Sequence, residues 1–378
     1  MRDSCDTGAP FSVPTSGLRR RPYLQQMTAR SVRVVWTTDA ATAADGDNSS
    51  MVIVSTTAGM VVARVAGQRD PSARPPRAIQ WNAALTGLEP ETLYCYELQL
   101  NGVATRRAGF RTAPALGGDA PVRFVAVGDS GSGSADQSAV TDQMNTVPFD
   151  FFIHLGDIGY EAGSRANLEE NFFKVYADYL ETFPSFPASG NHEYNTEDAA
   201  PFREAFMLPE NGGAEGRERW YSYDWGNVHL VVLDTERTGP LQAAWLDSDL
   251  SANQLPWTFV YFHKPPFSSG EHGNDGAVQR HFQPLFVKHG VPLVLSGHDH
   301  DYERTSSISG VTYVVSGGGG RGTRDVGRSS FTAFSLAVCH FVYVTISADV
   351  LTGHAIDGVG QEFDSFVVHR GPAPGADR

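Results

Sequence analysis

Five short blocks along this 378-residue chain carry side chains that bind metal ions. They are Gly128-Asp129-Ser130-Gly131, Gly156-Asp157-Ile158-Gly159-Tyr160, Gly190-Asn191-His192-Glu193, Phe262-His263 and Gly297-His298-Asp299-His300. Together they offer two carboxylates, a phenol, an amide and several imidazoles, the donor set of a two-metal site suited to hydrolysing phosphate esters. A single Gly-Asp or Gly-Asn-His block is ordinarily a turn, with glycine supplying a positive φ and Asp or Asn a cap. Five in this order, each where a hydrophobic run stops, point to a site.

The elements that must hold these blocks change character near Ala113–Pro121, where a Pro- and Gly-rich stretch reads as a linker. Before it, strand-like segments at Ser31–Thr37, Met51–Thr56, Val61–Val65, Ala78–Leu85 and Thr92–Leu100 alternate with turns, and no helical period emerges. This predicts a β-sandwich over 17–115. After it the rhythm becomes strand, loop, helix. Strands are expected at Val122–Val127, Phe151–Leu155, Phe186–Ser189, His229–Asp234, Trp257–Phe262, Pro292–Ser296 and Val311–Ser316. Helices are expected at Ala135–Asn145, Asn167–Phe183, Leu241–Ala252 and Ala277–His289, and Val338–Val368 is β-rich. An α/β layered domain over 121–370 follows, with its ligand groups at the carboxyl ends of strands.

Composition narrows the function classes. The formal charge of −14 argues against a nucleic-acid backbone as main partner, though metal ions would reverse the sign locally for small anionic substrates. No apolar run is long enough to span a membrane. Met1–Pro14 lacks an apolar core, so no signal peptide is expected, and the chain is either cytoplasmic or a mature form carrying a start Met. Cys5, Cys95 and Cys339 form no CxxC pair, which argues against zinc–thiolate chemistry. Strand alternation turns Cys95 outward with Glu97 and Gln99, where it could meet Cys5 in an oxidising compartment. A free thiol is the alternative.

The blocks resemble the metallophosphoesterase superfamily, and in detail its purple acid phosphatase branch, whose pattern is GDxG, GDxxY, GNH(D/E), a lone histidine and GHxH. Gly131 in place of a histidine and Tyr160 three residues after Asp157 both mark that branch. Leu88–Tyr94 resembles the tyrosine corner of fibronectin type III domains, which implies Trp36 as the core tryptophan, so the resemblance covers the front domain as well. It implies one metal held by Asp129, Asp157, Tyr160 and His300, and a second held by Asp157, Asn191, His263 and His298. The phenolate and carboxylates suit Fe(III); the amide and imidazoles suit Zn, Mn or Fe(II). A hydroxide bridging the metals would attack phosphorus in line, giving an acid phosphatase acting on small phosphate monoesters. By the same resemblance His192 and His272 contact the phosphate or protonate the leaving group. Family members are mostly exported, which suggests a secreted or periplasmic protein. A phosphodiesterase on the same scaffold is the nearest rival, and a metal-free binding module a more distant one.

Other residues have simpler expected roles. Arg19-Arg20-Arg21 is expected at a solvated edge rather than in a docking patch. His154 and His229 lie in apolar strands and are expected to be satisfied core groups. His281, His289, His340, His354 and His369 are expected to be structural or exposed. The Ser316–Arg321 glycine run is expected to be a close-packed turn beside the metal loops rather than a phosphate cradle. Arg304 is assigned a structural role, and Phe172, Phe173, Tyr176 and Tyr179 a helix core.

Overall fold

The computed structural model describes Cys5 and residues 17–39, 50–71 and 78–370; Met1–Pro14, apart from Cys5, lies outside the described residues. The chain divides into two compact units. The first comprises Met1–Ala115, Phe173–Ser185 and Glu204–Met207, and the second comprises the remainder.

Among the described residues, eight strands build the first unit: β1 (Leu18–Gln25), β2 (Ser31–Asp39), β3 (Ser50–Thr56), β4 (Val61–Ala66), β5 (Gln68–Arg69), β6 (Ala78–Thr86), β7 (Leu93–Leu100) and β8 (Val103–Arg111). They form two antiparallel sheets, β1-β2-β6-β5 and β4-β3-β7-β8, as the alternating pattern predicted. Trp36 is fully buried. The tyrosine corner forms, with the Glu89 N–H donating to the Tyr94 hydroxyl at 3.0 Å. Cys95 is joined to Cys5 by a disulfide. Both sulfurs are buried, so the expected outward face of β7 is covered here by its bonded partner.

Two expectations fail in this unit. The Arg19–Arg21 run is a solvated edge only at Arg19, which is exposed. Arg20 is 7% exposed, with its guanidinium 3.6 Å from the centre of the Phe173 ring. Arg21 and Arg106 both grip the buried carboxylate of Glu181, through Nε–Oε1 contacts of 2.9 and 2.6 Å. The 167–183 helix is also broken, into Arg165–Leu168, a π-helical turn at Glu169–Phe173 and Ala177–Leu180. Adjacent positions on a regular helix lie about 100° apart, so one apolar stripe cannot bury both. Phe172 and Phe173 are both buried, one assigned to each unit, and the helix rewinds between its halves.

The second unit contains β9 (Val122–Val127), β10 (Phe151–His154), β11 (Ser185–Pro187), β12 (Tyr221–Trp225), β13 (Val228–Val232), β14 (Trp257–Tyr261), β15 (Leu293–Ser296), β16 (Tyr302–Thr305), β17 (Thr312–Ser316), β18 (Thr332–Leu336), β19 (His340–Ser347), β20 (Val350–Asp357) and β21 (Glu362–His369). Two mixed sheets result, β11-β10-β9-β19-β20-β21 and β12-β13-β14-β15-β17-β16-β18. Their inner faces share an aromatic core, in which Phe124 meets Phe259 edge-on at 5.0 Å and Phe186 stacks on Tyr223 at 3.8 Å. A second core, including Val231, Leu246, Val260, Phe262, Phe282 and Phe286, fills the space under the Pro240–Ala252 helix and the Gly276–His281 and Gln283–Lys288 helices. The expected 277–289 helix is divided at Phe282, just before Pro284.

His154, His340 and His229 have defined partners. His154 is fully buried, with Nε2 2.8 Å from Ser130 Oγ, and burial pushes its pKa down to about 3. His340 sits between Ser316 Oγ and the Val338 carbonyl. His229 on β13 lies between Asp224 and Asp249, at 2.7 and 2.9 Å. Although burial opposes its charge, these two partners carry its pKa up to about 9. Arg304 forms two hydrogen bonds to Asp364 on β21, at 2.7 and 2.9 Å.

Candidate metal centre

The five blocks follow the carboxyl ends of β9, β10, β11, β14 and β15, where the backbone must turn sharply. Asp129, Asp157 and His298 themselves take positive φ, at 58°, 55° and 73°. This is a costly conformation for non-glycine residues, and one that concentrates at functional sites. The neighbouring glycines serve close packing instead. A Cβ on Gly131 would stand 1.8 Å from the Ile158 carbonyl oxygen, and one on Gly190 would stand 2.2 Å from Asp157 Oδ1. No side chain fits at position 131 while the Asp157 loop lies against it.

Each carboxylate uses one oxygen for anchorage and turns the other inward. Asp129 Oδ2 accepts the His298 N–H at 2.8 Å, and Asp157 Oδ1 accepts the His192 N–H at 2.9 Å. The Tyr160 hydroxyl lies 2.9 Å from Asp129 Oδ1, 3.0 Å from Asp157 Oδ2 and 3.1 Å from His300 Nε2. On the other side, His263 Nε2 is 3.4 Å from Asp157 Oδ2, 3.0 Å from Asn191 Oδ1 and 3.2 Å from His298 Nδ1. Its Nδ1 faces the Leu155 carbonyl at 2.9 Å, which fixes the tautomer and aims Nε2 at the cluster. All seven predicted ligand side chains therefore come together. Asp157, His263 and His298 can offer ligand atoms within 4.8 Å of one another.

This set has the chemistry of a cation site. Asp129, Asp157, Tyr160 and His263 are buried, and anionic oxygens so close together need positive charge between them. Burial and the neighbouring carboxylates raise the Tyr160 pKa well above a free phenol's, and burial raises that of Asp129. Despite its burial, His263 is pushed up to about 10 by Asp157 and Asp129. His298 and His300 are driven down to about 2 and about 3, chiefly by burial, so both rings present lone pairs.

His192 and His272 lie at the more open side. His192 Nδ1 contacts the Glu161 carbonyl, its ring packs on Tyr160 at 4.4 Å, and Nε2 is 3.8 Å from Asp157 Oδ2. His272 stacks on His298 at 4.2 Å, and its Nε2 accepts from Arg324.

Residues 122–302 match the calcineurin-like phosphoesterase family. This segment is a calcineurin-like phosphoesterase domain. Purple acid phosphatase 1 of Ipomoea batatas is 28% identical over 255 residues, covering 62% of this chain and 53% of its own length. The Fe(3+)-Zn(2+) purple acid phosphatase 12 of Arabidopsis thaliana is 27% identical over 251 residues, covering 61% and 53%. The chain thus spans about half the length of the curated relatives it matches. In fold it is similar to a purple acid phosphatase from yellow lupin (Lupinus luteus) seeds, with a TM-score of 0.80 at 22% identity over 92% of this chain and 74% of that one. The expected two-part fold class is borne out, and the family resemblance read from the five blocks agrees with the relatives.

Three residues of the second unit escaped the sequence reading. Glu193, fully buried, accepts the backbone N–H groups of Asp157, Ile158, Gly159 and Gly190 at 2.9, 2.9, 3.1 and 2.8 Å. It locks the Asp157 loop to the Asn191 loop. Its place directly after His192 was the available signal. Arg321 and Arg324 border the ligands; the glycine run that ends at Arg321 is a close-packed turn on the Gly128 and Asp129 carbonyls, and it marked the loop without marking the arginines.

Proposed function

We infer that this chain is a phosphatase that hydrolyses phosphate monoesters at a binuclear metal centre. The observation that carries the reading is the contact of one phenol, Tyr160, with Asp129, Asp157 and His300, beside the Asn191–His263–His298 group. Asp129, Asp157, Tyr160 and His300 would hold Fe(III), while Asn191, His263 and His298, sharing Asp157, would hold Zn, Mn or Fe(II). The Arabidopsis relative's name supports this pairing. When bound, such metals supply Lewis acidity toward phosphoryl oxygens and a nucleophile drawn from water.

The chain's own groups then complete the chemistry. The Asn191 amide and the His298 ring lie on the open side of the cluster, where a phosphate ester enters. With Nδ1 fixed on the Glu161 carbonyl, a protonated His192 Nε2 is positioned to donate to the departing ester oxygen. His272 is less suited to that task, because its Nε2 accepts from Arg324; packing on His298 fits it to orient that ligand. The Cys5–Cys95 disulfide supports maturation in an oxidising compartment, hence a secreted or periplasmic protein. Among the described residues, no helix is long and apolar enough to cross a membrane.

Elemental analysis and a visible spectrum of freshly purified protein test the assignment. Iron with a second metal and a phenolate charge-transfer band, lost in Tyr160→Phe, are expected. Metal-free, colourless and inactive protein would refute it. Comparing rates on a monoester and a bis-ester of one leaving group separates phosphatase from phosphodiesterase.

A further inference from the structure

From His298 to Glu303 the chain alternates aromatic rings with acids: Asp299, Asp301 and Glu303 follow His298, His300 and Tyr302 in turn. All three acids are fully buried. They converge on Ser268-Ser269-Gly270, in the loop that follows β14. Asp299 accepts the Ser268 hydroxyl through one oxygen and the His272 N–H, at 2.8 Å, through the other. Glu303 accepts the Ser269 N–H at 2.5 Å, the Ser269 hydroxyl at 2.8 Å and the Thr332 hydroxyl. A Cβ on Gly270 would stand 2.6 Å from both Asp299 Cγ and Asp301 Oδ2. Glycine at this position leaves free the space that a side chain would fill between those two carboxylates.

Asp301 differs from its two neighbours. Neither of its oxygens has a hydrogen-bond donor among the described residues. The charges of Asp299 and Glu303 oppose its own, and the cation that favours it, Arg324, is paired with Glu271 at 3.3 Å. Burying a carboxylate with neither a donor nor a counter-ion of its own is strongly unfavourable. Backbone and hydroxyl donors satisfy the other two acids and leave this one orphaned, which points to a ligand that the protein itself does not supply.

We propose that Asp299 and Asp301 form a calcium site separate from the binuclear centre. The donors are hard carboxylate oxygens, which suit Ca2+ or Mg2+ rather than zinc or iron. Mg2+ keeps several of its waters, whereas these carboxylates are closed to solvent, so the more readily dehydrated Ca2+ is the better fit. The two free oxygens of Asp301 can bind it together, and each Asp299 oxygen keeps a lone pair beyond the donor it accepts. Bound there, the ion ties the His298–His300 loop to the Ser268–His272 segment. This site goes beyond the phosphatase reading and does not rest on it.

The test dialyses purified holoprotein into calcium-free buffer and follows calcium uptake by equilibrium dialysis and thermal unfolding. Wild-type protein should take up one calcium per chain, with a dissociation constant of about 0.1–1 mM, and keep its iron and divalent-metal content. It should melt about 3 °C higher in about 5 mM calcium chloride, and magnesium should give a smaller shift. Asp301→Asn keeps the shape and removes the charge. It should lose both the uptake and the shift, yet melt no lower than wild type in calcium-free buffer, a result that misfolding cannot produce. Wild-type protein that binds no calcium, or uptake and shift unaltered in Asp301→Asn, would overturn the site. So would a variant that melts well below wild type without calcium, since the carboxylate would then serve the fold with no ion. A magnesium shift as large as that of calcium would overturn the choice of cation. Protein free of iron and zinc that still takes up calcium through Asp301 would instead sink the binuclear reading and leave this site standing.

Discussion

His192 and Glu193 are neighbours with opposite duties, and their substitutions should separate chemistry from assembly. His192 keeps its ring at the open side of the cluster and offers its backbone N–H, not its side chain, to Asp157. Replacing it with alanine should leave metal content intact and lower turnover by about a hundredfold, the usual contribution of a positioned acid. Equal loss of metal would mean that its role is structural. Glu193 instead closes four backbone N–H groups in a site without solvent. Glu193→Ala should cost roughly 2–4 kcal/mol and release the metals, because buried donors would be left without acceptors. Glu193→Gln, which keeps one acceptor oxygen, should recover part of both. Metal analysis and denaturant titration of the three variants check this pattern. The ligand types at these positions were readable because each sits in a glycine-flanked block. Glu193's duty was not, since its acceptors are backbone groups brought near by another loop.

At the scale of elements, His229 joins β12, β13 and the Pro240–Ala252 helix through Asp224 and Asp249. Its folded pKa of about 9 lies above the free value of 6.5. The stabilisation is therefore complete below about pH 6.5 and is lost as pH rises toward 9. Allowing for solvent screening around the partly exposed Asp224, it is worth about 2 kcal/mol. Wild-type protein should lose this increment between pH 6 and 9 in urea unfolding, whereas His229→Gln should start lower and show a flatter profile. Parallel slopes would dismiss the charged bridge. Strands such as β9 and β13 were legible because their apolar runs are continuous and end at glycine or aspartate. His229 was placed correctly in a strand, but its charge was invisible, because Asp249 lies 20 residues away on a helix. The broken 167–183 helix failed for a related reason. Its periodicity was averaged over one stripe, while its aromatics are divided between two cores.

Across the whole molecule, chain order and structural units do not coincide. The Pro- and Gly-rich stretch near Ala113 suggests that a front domain could be cut free there. Yet the first unit also contains Phe173–Ser185 and Glu204–Met207, contributed by sequence lying between the second and fourth of the five blocks. Glu181 sits between Arg21 and Arg106, its carbonyl accepts the Tyr96 hydroxyl at 3.0 Å, and the Ser185 carbonyl accepts from Gln25 at 3.0 Å. These partners lie up to 160 residues apart in sequence, which is why the arginine run looked like a solvent-facing edge. A fragment ending at Ala115 keeps the Cys5–Cys95 disulfide, which by chain entropy alone is worth up to about 4 kcal/mol. It loses every one of those contacts and leaves Arg20, Arg21 and Tyr96 facing empty surface. The fragment should therefore melt far below the same unit in the intact chain, and in the intact chain Glu181→Ala should destabilise by about 3 kcal/mol, because it strands two partly buried guanidiniums. Thermal unfolding of both, followed by the near-ultraviolet signal of the buried Trp36, decides the matter. A fragment as stable as the intact unit, together with a neutral Glu181→Ala, would show that the two four-stranded sheets suffice alone and that the later segments merely lie on them.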